Sequence, residues 1–329
     1  MLVPVRNEAG FIGRCLQALA QQDYPRERFE VIVLDGESTD LTEYEAQVAA
    51  ERYGLTVYFA TNPKRTAAAG LNLGLTLAKG EVIIKVDGHT RVDPSFVSAA
   101  VKALRESGAD AVGGPIETLG HGRAGRAIAL AMSSPFGVGD AAFRVSQAEQ
   151  WTDSVPFGAY RREVFEKVGP FAEDIDRGED DEFNYRLRQA GGRILLTPKI
   201  RSVYFSRPTL GALARQYWGY GLAKAQVLYR HPGRLRPRHL APSALVLALA
   251  GGGLLSLIER RFVLIPAVAA SAYWTANLLA SLRIASRGNW REAPLLPAAF
   301  ATIHFAAGAG MIAGAAKLLL RRIRAAPRD

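Results

Sequence analysis

An α/β fold on a doubly wound, mostly parallel sheet, followed by a transmembrane helical region, is what this 329-residue sequence predicts. Three observations lead there. Short β-branched runs alternate with amphipathic segments of helix length over the first hundred residues, polar residues gather where those runs stop, and the composition turns apolar and basic after Pro237.

The chain opens on a strand end, Met1-Leu2-Val3-Pro4-Val5. Phe11, Ile12, Cys15, Leu16 and Leu19 then recur at helical spacing. Residues 29–34 (FEVIVL) form a second strand that stops at Asp35-Gly36. A helix over 41–53, a strand over 55–60 and a helix over 67–78 follow. Val82-Ile83-Ile84-Lys85-Val86 reads as a buried strand ending at Asp87. In such sheets ligands bind beyond the carboxyl ends of the strands, where Asp35 and Asp87 both stand. Alternation weakens from residue 94: a helix over 94–107, a strand near 110–113, a polar Gly-bearing stretch over 114–158, and a helix over 179–190.

Three stretches then approach the roughly 20 apolar residues a spanning helix needs. Leu240–Ile258 and Phe262–Leu282 carry no charge, and Leu295–Leu320 holds only Lys317. We therefore expect two parts, a soluble domain over 1–230 and a membrane-associated region over 231–329. Three full crossings would carry Arg321-Arg322-Ile323-Arg324 away from the side of the first domain, against the positive-inside tendency. One stretch could instead be re-entrant or interfacial, or the last could fold as a hairpin at Gly308/Gly310.

Charge divides the same way. Residues 201–329 hold 18 Lys/Arg against three acids, leaving 23 bases and 28 acids in residues 1–200. A basic excess confined to an apolar tail suits anionic lipid, and nucleic acid is not an expected partner. Cys15 is the single cysteine, so an intrachain disulfide is impossible. The N-terminus lacks a basic segment followed by an apolar run, so no signal peptide is expected and the first domain is placed in the cytoplasm, on an inner membrane crossed several times.

Four clusters could carry chemistry. Val5-Arg6-Asn7-Glu8 stands at a strand end before a helix, where polar groups could hold a nucleoside or Asn-Glu could cap the helix. In Asp35-Gly36-Glu37-Ser38-Thr39-Asp40, Asp35 can accept hydrogen bonds from a base or ribose, and Ser38, Thr39 and Asp40 can cap the next helix. Asp87-Gly88-His89 puts a carboxylate and an imidazole two residues apart, able to face one divalent cation on a diphosphate; a turn with a surface His is the plainer alternative. Glu179-Asp180-Asp181-Glu182, after Gly178, suits the first turn of a helix, and a carboxylate there could take a proton from an acceptor hydroxyl.

Together these residues resemble glycosyltransferase family 2, inverting enzymes with a GT-A nucleotide-sugar-binding fold, over about residues 1–225. Pro4-Val5-Arg6-Asn7-Glu8 resembles the opening motif, Asp35 the nucleoside-contacting acid, and Asn62–Gly74, with Arg65, Gly70 and Asn72, the segment before the metal strand. Asp87-Gly88-His89 resembles the Asp-x-Asp, with His in the third place. Gly158–Phe171 resembles the acceptor-side segment, and Glu179-Asp180 the Glu-Asp pair whose Asp is the expected base. The first strand is shorter than the family's, so an upstream start is expected. No Gln-x-x-Arg-Trp motif is present; Gln216-Tyr217-Trp218-Gly219-Tyr220 stands in its neighbourhood, which implies single addition.

The form of the motifs is similar to succinoglycan-type bacterial exopolysaccharide glucosyltransferases. The resemblance implies transfer of a hexose, glucose, from a UDP-sugar to a polyprenyl-diphosphate-linked oligosaccharide. Asp180 would be the base, Glu179 its neighbour, and Asp87 and His89 ligands of Mg²⁺ or Mn²⁺. Pro4, Val5, Arg6, Glu8, Asp35, Arg65, Asp87 and Gly88 would face the donor. The rival readings are a non-catalytic membrane scaffold of the same fold and a nucleotidyltransferase. The latter would need a Gly-rich, Lys-containing phosphate loop that Arg6-Asn7-Glu8-Ala9-Gly10 does not supply.

Overall fold

The computed structural model describes residues 1–175, 177–234 and 237–325, without the side chains of 234, 237, 238, 324 and 325. Arg324, in the expected basic end, therefore has no described side chain, and residues 326–329 lie outside the described residues. The strands and helices are, in chain order, β1 (Leu2–Val5), α1 (Ile12–Ala20), β2 (Val31–Asp35), α2 (Thr42–Tyr53), β3 (Val57–Thr61), α3 (Ala67–Leu77), β4 (Val82–Ile84), β5 (Arg91–Val92), α4 (Phe96–Ser107), β6 (Ala111–Gly113), β7 (Ile116–Leu119) and α5 (Gly122–Met132). After these come α6 (Pro135–Val138), α7 (Ala142–Val145), β8 (Gln150–Trp151), β9 (Ala159–Arg161), α8 (Glu163–Val168), α9 (Glu179–Gln189), β10 (Ile194–Leu196), β11 (Ser202–Phe205), α10 (Leu210–Arg230), α11 (Pro237–Ile258), α12 (Leu264–Ala285) and α13 (Leu296–Ala325). Two compact units result: Met1–Glu117 with Ala141–Phe205, and Thr118–Asp140 with Ser206–Asp329.

In the first unit β1, β2 and β3 pair in parallel, in register Val5↔Asp35↔Thr61. Leu2, Val3, Val31, Ile32, Val33 and Leu34 are all buried, as strands covered on both faces should be. Helix α3 reaches this sheet through glycines: a Cβ on Gly74 would lie 2.8 Å from Leu2 Cδ2 and from Leu34 Cδ1. A parallel bridge, Leu2↔Lys85, carries the order onward to the strand of β4. Beyond it the sheet continues β4-β9-β6-β10-β8, with β9 antiparallel to both β4 and β6. The β/α alternation fades after residue 94 because the strand beside β4 comes from residues 159–161 rather than from the next βα unit. The stretch read as polar and irregular over 114–158 contains α5, whose face Ala127, Ile128, Ala131 and Met132 is buried.

The second unit is helical. Three of its helices are long and apolar enough to cross a membrane: His239–Ile258, Arg260–Ala285 and Ala293–Ile323. Helix α13 runs unbroken through Gly308 and Gly310, so the hairpin, one of the alternatives above, does not form there. These glycines serve close packing rather than a turn, since a Cβ on Gly308 would stand 2.3 Å from Pro242 O and one on Gly310 2.3 Å from Trp218 O.

Candidate active site

The ends of β1 and β2 build one half of the site. Asn7 takes φ 55°, and the loop after β1 is tied down by the loop after β2: Asn7 N–H donates to Ser38 Oγ (2.9 Å), Glu8 N–H to Thr42 Oγ1 (2.7 Å), and Asn7 Oδ1 accepts from Thr39 N–H (2.8 Å). Neither loop mainly caps its helix, as the cap readings would have had it. Phe11 and Leu41 hold the N-cap positions of α1 and α2 without side-chain caps, although Asp40 accepts from Thr42 N–H at 3.0 Å. Asp35, at the end of β2, accepts from Ser38 N–H (3.0 Å) and Ser38 Oγ–H (2.5 Å).

Arg6, Gly36 and Arg65 meet there. A Cβ on Gly36 would lie 3.4 Å from both Arg6 Cβ and Arg65 Cα. Arg65 pairs with Glu37, which takes up the guanidinium expected to face a phosphate. Three non-glycine residues around this rim adopt the left-handed region: Asn7, Glu37 (φ 53°) and Arg65 (φ 61°). Such conformations cost on the order of 1–3 kcal/mol each and gather at ligand-binding loops. Pro4 and Val5 contribute packing. Pro4 Cβ lies 3.7 Å from where a Gly70 Cβ would be, and Val5 is buried beneath Gly88.

The other half follows β4. Lys85 is 5% exposed, and its Nζ lies 2.8 Å from Glu179 Oε1, 3.4 Å from Asp87 Oδ1 and 3.6 Å from Asp180 Oδ2. Burial alone would lower the pKa of this ammonium; the charges of Asp180, Asp87 and Glu179 more than offset it, so the pKa is raised and the group stays cationic. Burial pushes the Asp180 carboxyl up to about 6, against Lys85, with Glu179, Asp181 and Asp87 adding to the rise. Gly178, at φ 79°, forms the turn into α9 that presents Glu179 and Asp180. His89 Nδ1 stands 2.9 Å from Glu8 Oε1, with the ring edge-on to Tyr204. Gly88 allows this crossing, because a Cβ there would lie 2.7 Å from Val5 Cγ1 and 3.4 Å from Glu8 Cγ.

Thus Val5, Glu8, Asp87, Gly88 and His89 form one cluster, Asp87, Glu179 and Asp180 share Lys85, and Asp35, Arg6 and Arg65 lie at the neighbouring strand end. The side chains reading by motif passes over are those behind the acids. Lys85 was legible only as a cation inside an otherwise apolar strand. Tyr160 donates to Asn184 Oδ1 (3.1 Å) beneath α9. Asn72, which the motif did include, holds Phe171 N–H (2.9 Å) and Glu173 (2.9 Å). Among the described residues no three His, Cys, Asp or Glu side chains stand close enough to hold a metal ion by themselves.

The sequence model described as "Glycosyl transferase family 2" matches residues 1–169. The chain is 31% identical over 262 residues to the succinoglycan biosynthesis protein ExoA of Rhizobium meliloti (strain 1021), covering 79% of this chain and 78% of that protein. It is 26% identical over 235 residues to a dolichyl N-acetyl-alpha-D-glucosaminyl phosphate 3-beta-D-2,3-diacetamido-2,3-dideoxy-beta-D-glucuronosyltransferase of Methanococcus voltae, covering 69% and 73%. Among solved structures, mannosyltransferase PcManGT from Pyrobaculum calidifontis, in complex with GDP-Man and Mn²⁺, superposes with a TM-score of 0.59 at 24% identity over 97% of this chain and 86% of that one. This last likeness speaks for the fold, GT-A.

Proposed function

The chain belongs to glycosyltransferase family 2, and on that premise we propose that it moves glucose from UDP-glucose to a polyprenyl-diphosphate-linked oligosaccharide, with inversion and one sugar per acceptor. It is a glycosyltransferase; the sugar, donor and acceptor are our reading. A lipid-linked acceptor is supported by the name of the Methanococcus voltae relative, which acts on a dolichyl-phosphate-borne sugar, and by the three apolar helices of the second unit. We take residues 1–230 as the catalytic part, on the cytoplasmic face of an inner membrane, and 231–329 as its membrane attachment.

The observation that carries the mechanism is the gathering of Asp87, Glu179 and Asp180 around the buried Lys85 Nζ. Asp180 takes the proton from the attacking acceptor hydroxyl. Its raised pKa, about 6, keeps it ionised at neutral pH yet more basic than an ordinary carboxylate. Glu179, bonded to Lys85, fixes the first turn of α9 and so the carboxylate beside it. Asp35 accepts from the nucleoside, while Arg6, Glu8 and the backbone of Pro4, Val5 and Gly88 line its pocket. Arg65, released from Glu37, reaches a phosphate.

Asp87 and His89 are the side chains we read as those that would hold a divalent cation. Asp87 would offer a carboxylate and His89 an imidazole nitrogen; since no three His, Cys, Asp or Glu side chains gather among the described residues, the remaining ligands would have to come from the donor. When bound, Mg²⁺ or Mn²⁺ supplies charge neutralisation for the departing diphosphate.

Purified full-length protein with UDP-glucose, Mn²⁺ and extracted lipid-linked oligosaccharide tests the reading by UDP release and lipid-borne label. Asp180→Asn should slow transfer on the order of 10²–10⁴-fold with UDP binding retained. Near-normal transfer by that variant would remove Asp180 from the role, and no transfer by wild type from any UDP-hexose would remove the donor assignment.

A further inference from the structure

We propose that α11 and α12 alone cross the bilayer, as an antiparallel hairpin, and that α13 lies across the hairpin's base beside α10, so the basic end of the chain stays on the side from which α11 enters. This rests on the membrane attachment proposed above.

The first ground is the union of α10 and α13. A Cβ on Gly221 would stand 2.2 Å from Ala307 O, one on Gly310 2.3 Å from Trp218 O, and one on Gly314 2.8 Å from Ala225 Cβ. The two backbones touch along 307–314, so wherever α13 goes, α10 goes with it. Helix α10 carries Arg215, Lys224 and Arg230 along its length, and charges at a bilayer's centre strongly oppose insertion. An α13 that crossed would have to take them through.

The second ground is exposure. Only 11% of the most apolar window of α11 and 6% of that of α12 is buried within the protein, against 33% for α13. Leu257 and Ile258 are 82% and 83% exposed, and Leu254, Leu264 and Val268 stand similarly bare. Uncharged surface of this extent on paired helices needs hydrocarbon as its partner. The apolar runs Leu240–Ile258 and Phe262–Leu282 rise about 28 Å and about 32 Å at roughly 1.5 Å per residue, close to the roughly 30 Å of a bilayer's core.

The third ground is where α13 meets the hairpin. Gly252 abuts Pro266 and Ile265 toward the tip. The contacts of α13 run from the middle of the hairpin to its other end: Tyr273 Oη, midway along α12, stands 3.1 Å from His304 Nδ1, Ser243 Oγ–H near the start of α11 donates to Gly308 O, and Asn277 Nδ2 donates to Pro297 O at 3.1 Å. Two crossings also leave Arg230, Arg283, Arg287, Arg291, Arg321 and Arg322 on one face, as the positive-inside rule favours. At the tip Arg261 is paired with Glu259 at 2.6 Å.

Single cysteines at Tyr229, Arg260 and Arg322 in the full chain test this, in carbonate-washed membrane vesicles of known orientation with a membrane-impermeant maleimide. Native Cys15 is buried, so wild type serves as the blank. Tyr229→Cys and Arg322→Cys should label from the same face and lose labelling when reagent is confined to the other; Arg260→Cys should show the opposite. Ile323→Cys repeats the C-terminal measurement should Arg322→Cys fail to accumulate. Labelling of the C-terminal cysteine from the face opposite Tyr229→Cys overturns the proposal, as does labelling of Arg260→Cys from the Tyr229 face. Release of the protein by carbonate would overturn the membrane attachment itself; retention with either wrong pattern would overturn only the two-crossing arrangement.

Discussion

Lys85 Nζ and Glu179 Oε1 stand 2.8 Å apart with both side chains buried, joining residues 94 positions apart in sequence. A cation inside an apolar strand and an acid in the first turn of α9 are each costly to bury alone. Paired, they hold the end of β4 and the start of α9 together, and with them Asp87 and Asp180.

Lys85→Met should therefore cost the fold about 3–5 kcal/mol, the usual loss when one partner of a buried ion pair is removed. Chemical unfolding of the full chain in detergent measures it. A variant within about 1 kcal/mol of wild type would mean that water compensates Glu179.

Asp180 links pH to both stability and rate. Its pKa, raised from 3.8 to about 6, means the folded chain binds this proton more tightly than the unfolded chain does. The stability it contributes is thus present at low pH and is lost as pH rises from 3.8 through about 6. Asp180→Asn should melt at a higher temperature than wild type above pH 6, with the gap closing below the lower value. Wild-type turnover needs the ionised form, so it should fall as pH drops through about 6. A melting difference independent of pH would show that the carboxyl is not perturbed.

Gly88→Ala should harm the site without touching any charge. The added Cβ would stand 2.7 Å from Val5 Cγ1, and overpacking of this kind costs about 1–3 kcal/mol. Displacing Asp87 and His89 by as little as 1 Å should lower kcat on the order of 10²-fold. Steady-state rates of the folded variant decide it; unchanged kcat would show that the turn can shift freely.

Metal preference should follow His89. Carboxylates suit Mn²⁺ and Mg²⁺ alike, whereas Mn²⁺, a first-row transition metal, accepts a nitrogen ligand more readily than the hard Mg²⁺. Chelator should abolish transfer, Mn²⁺ should restore it better than Mg²⁺, and His89→Asp should lower the Mn²⁺/Mg²⁺ activity ratio. An unaltered ratio would remove His89 from the metal.

The strands and helices of the first hundred residues were legible because period and punctuation are local properties: Val31–Leu34 is a continuous apolar run, and Asp35-Gly36 ends it. Helices α5 and α10 were not, since Gly122 and Gly125 obscure the first and charges interrupt the second. Their apolar faces become visible only against what they pack on.

From residue types and their order alone came the α/β class, the apolar basic end and the acids Asp35, Asp87 and Asp180 as candidates. Only the tertiary structure decided that Lys85 binds Glu179 and lies beside Asp87 and Asp180, that β9 enters the sheet antiparallel, and that Gly308 and Gly310 pack rather than turn. The physical reason is range. Periodicity and turn chemistry act over a few residues, whereas burying a charge or bringing two helix backbones into contact depends on partners tens of residues away.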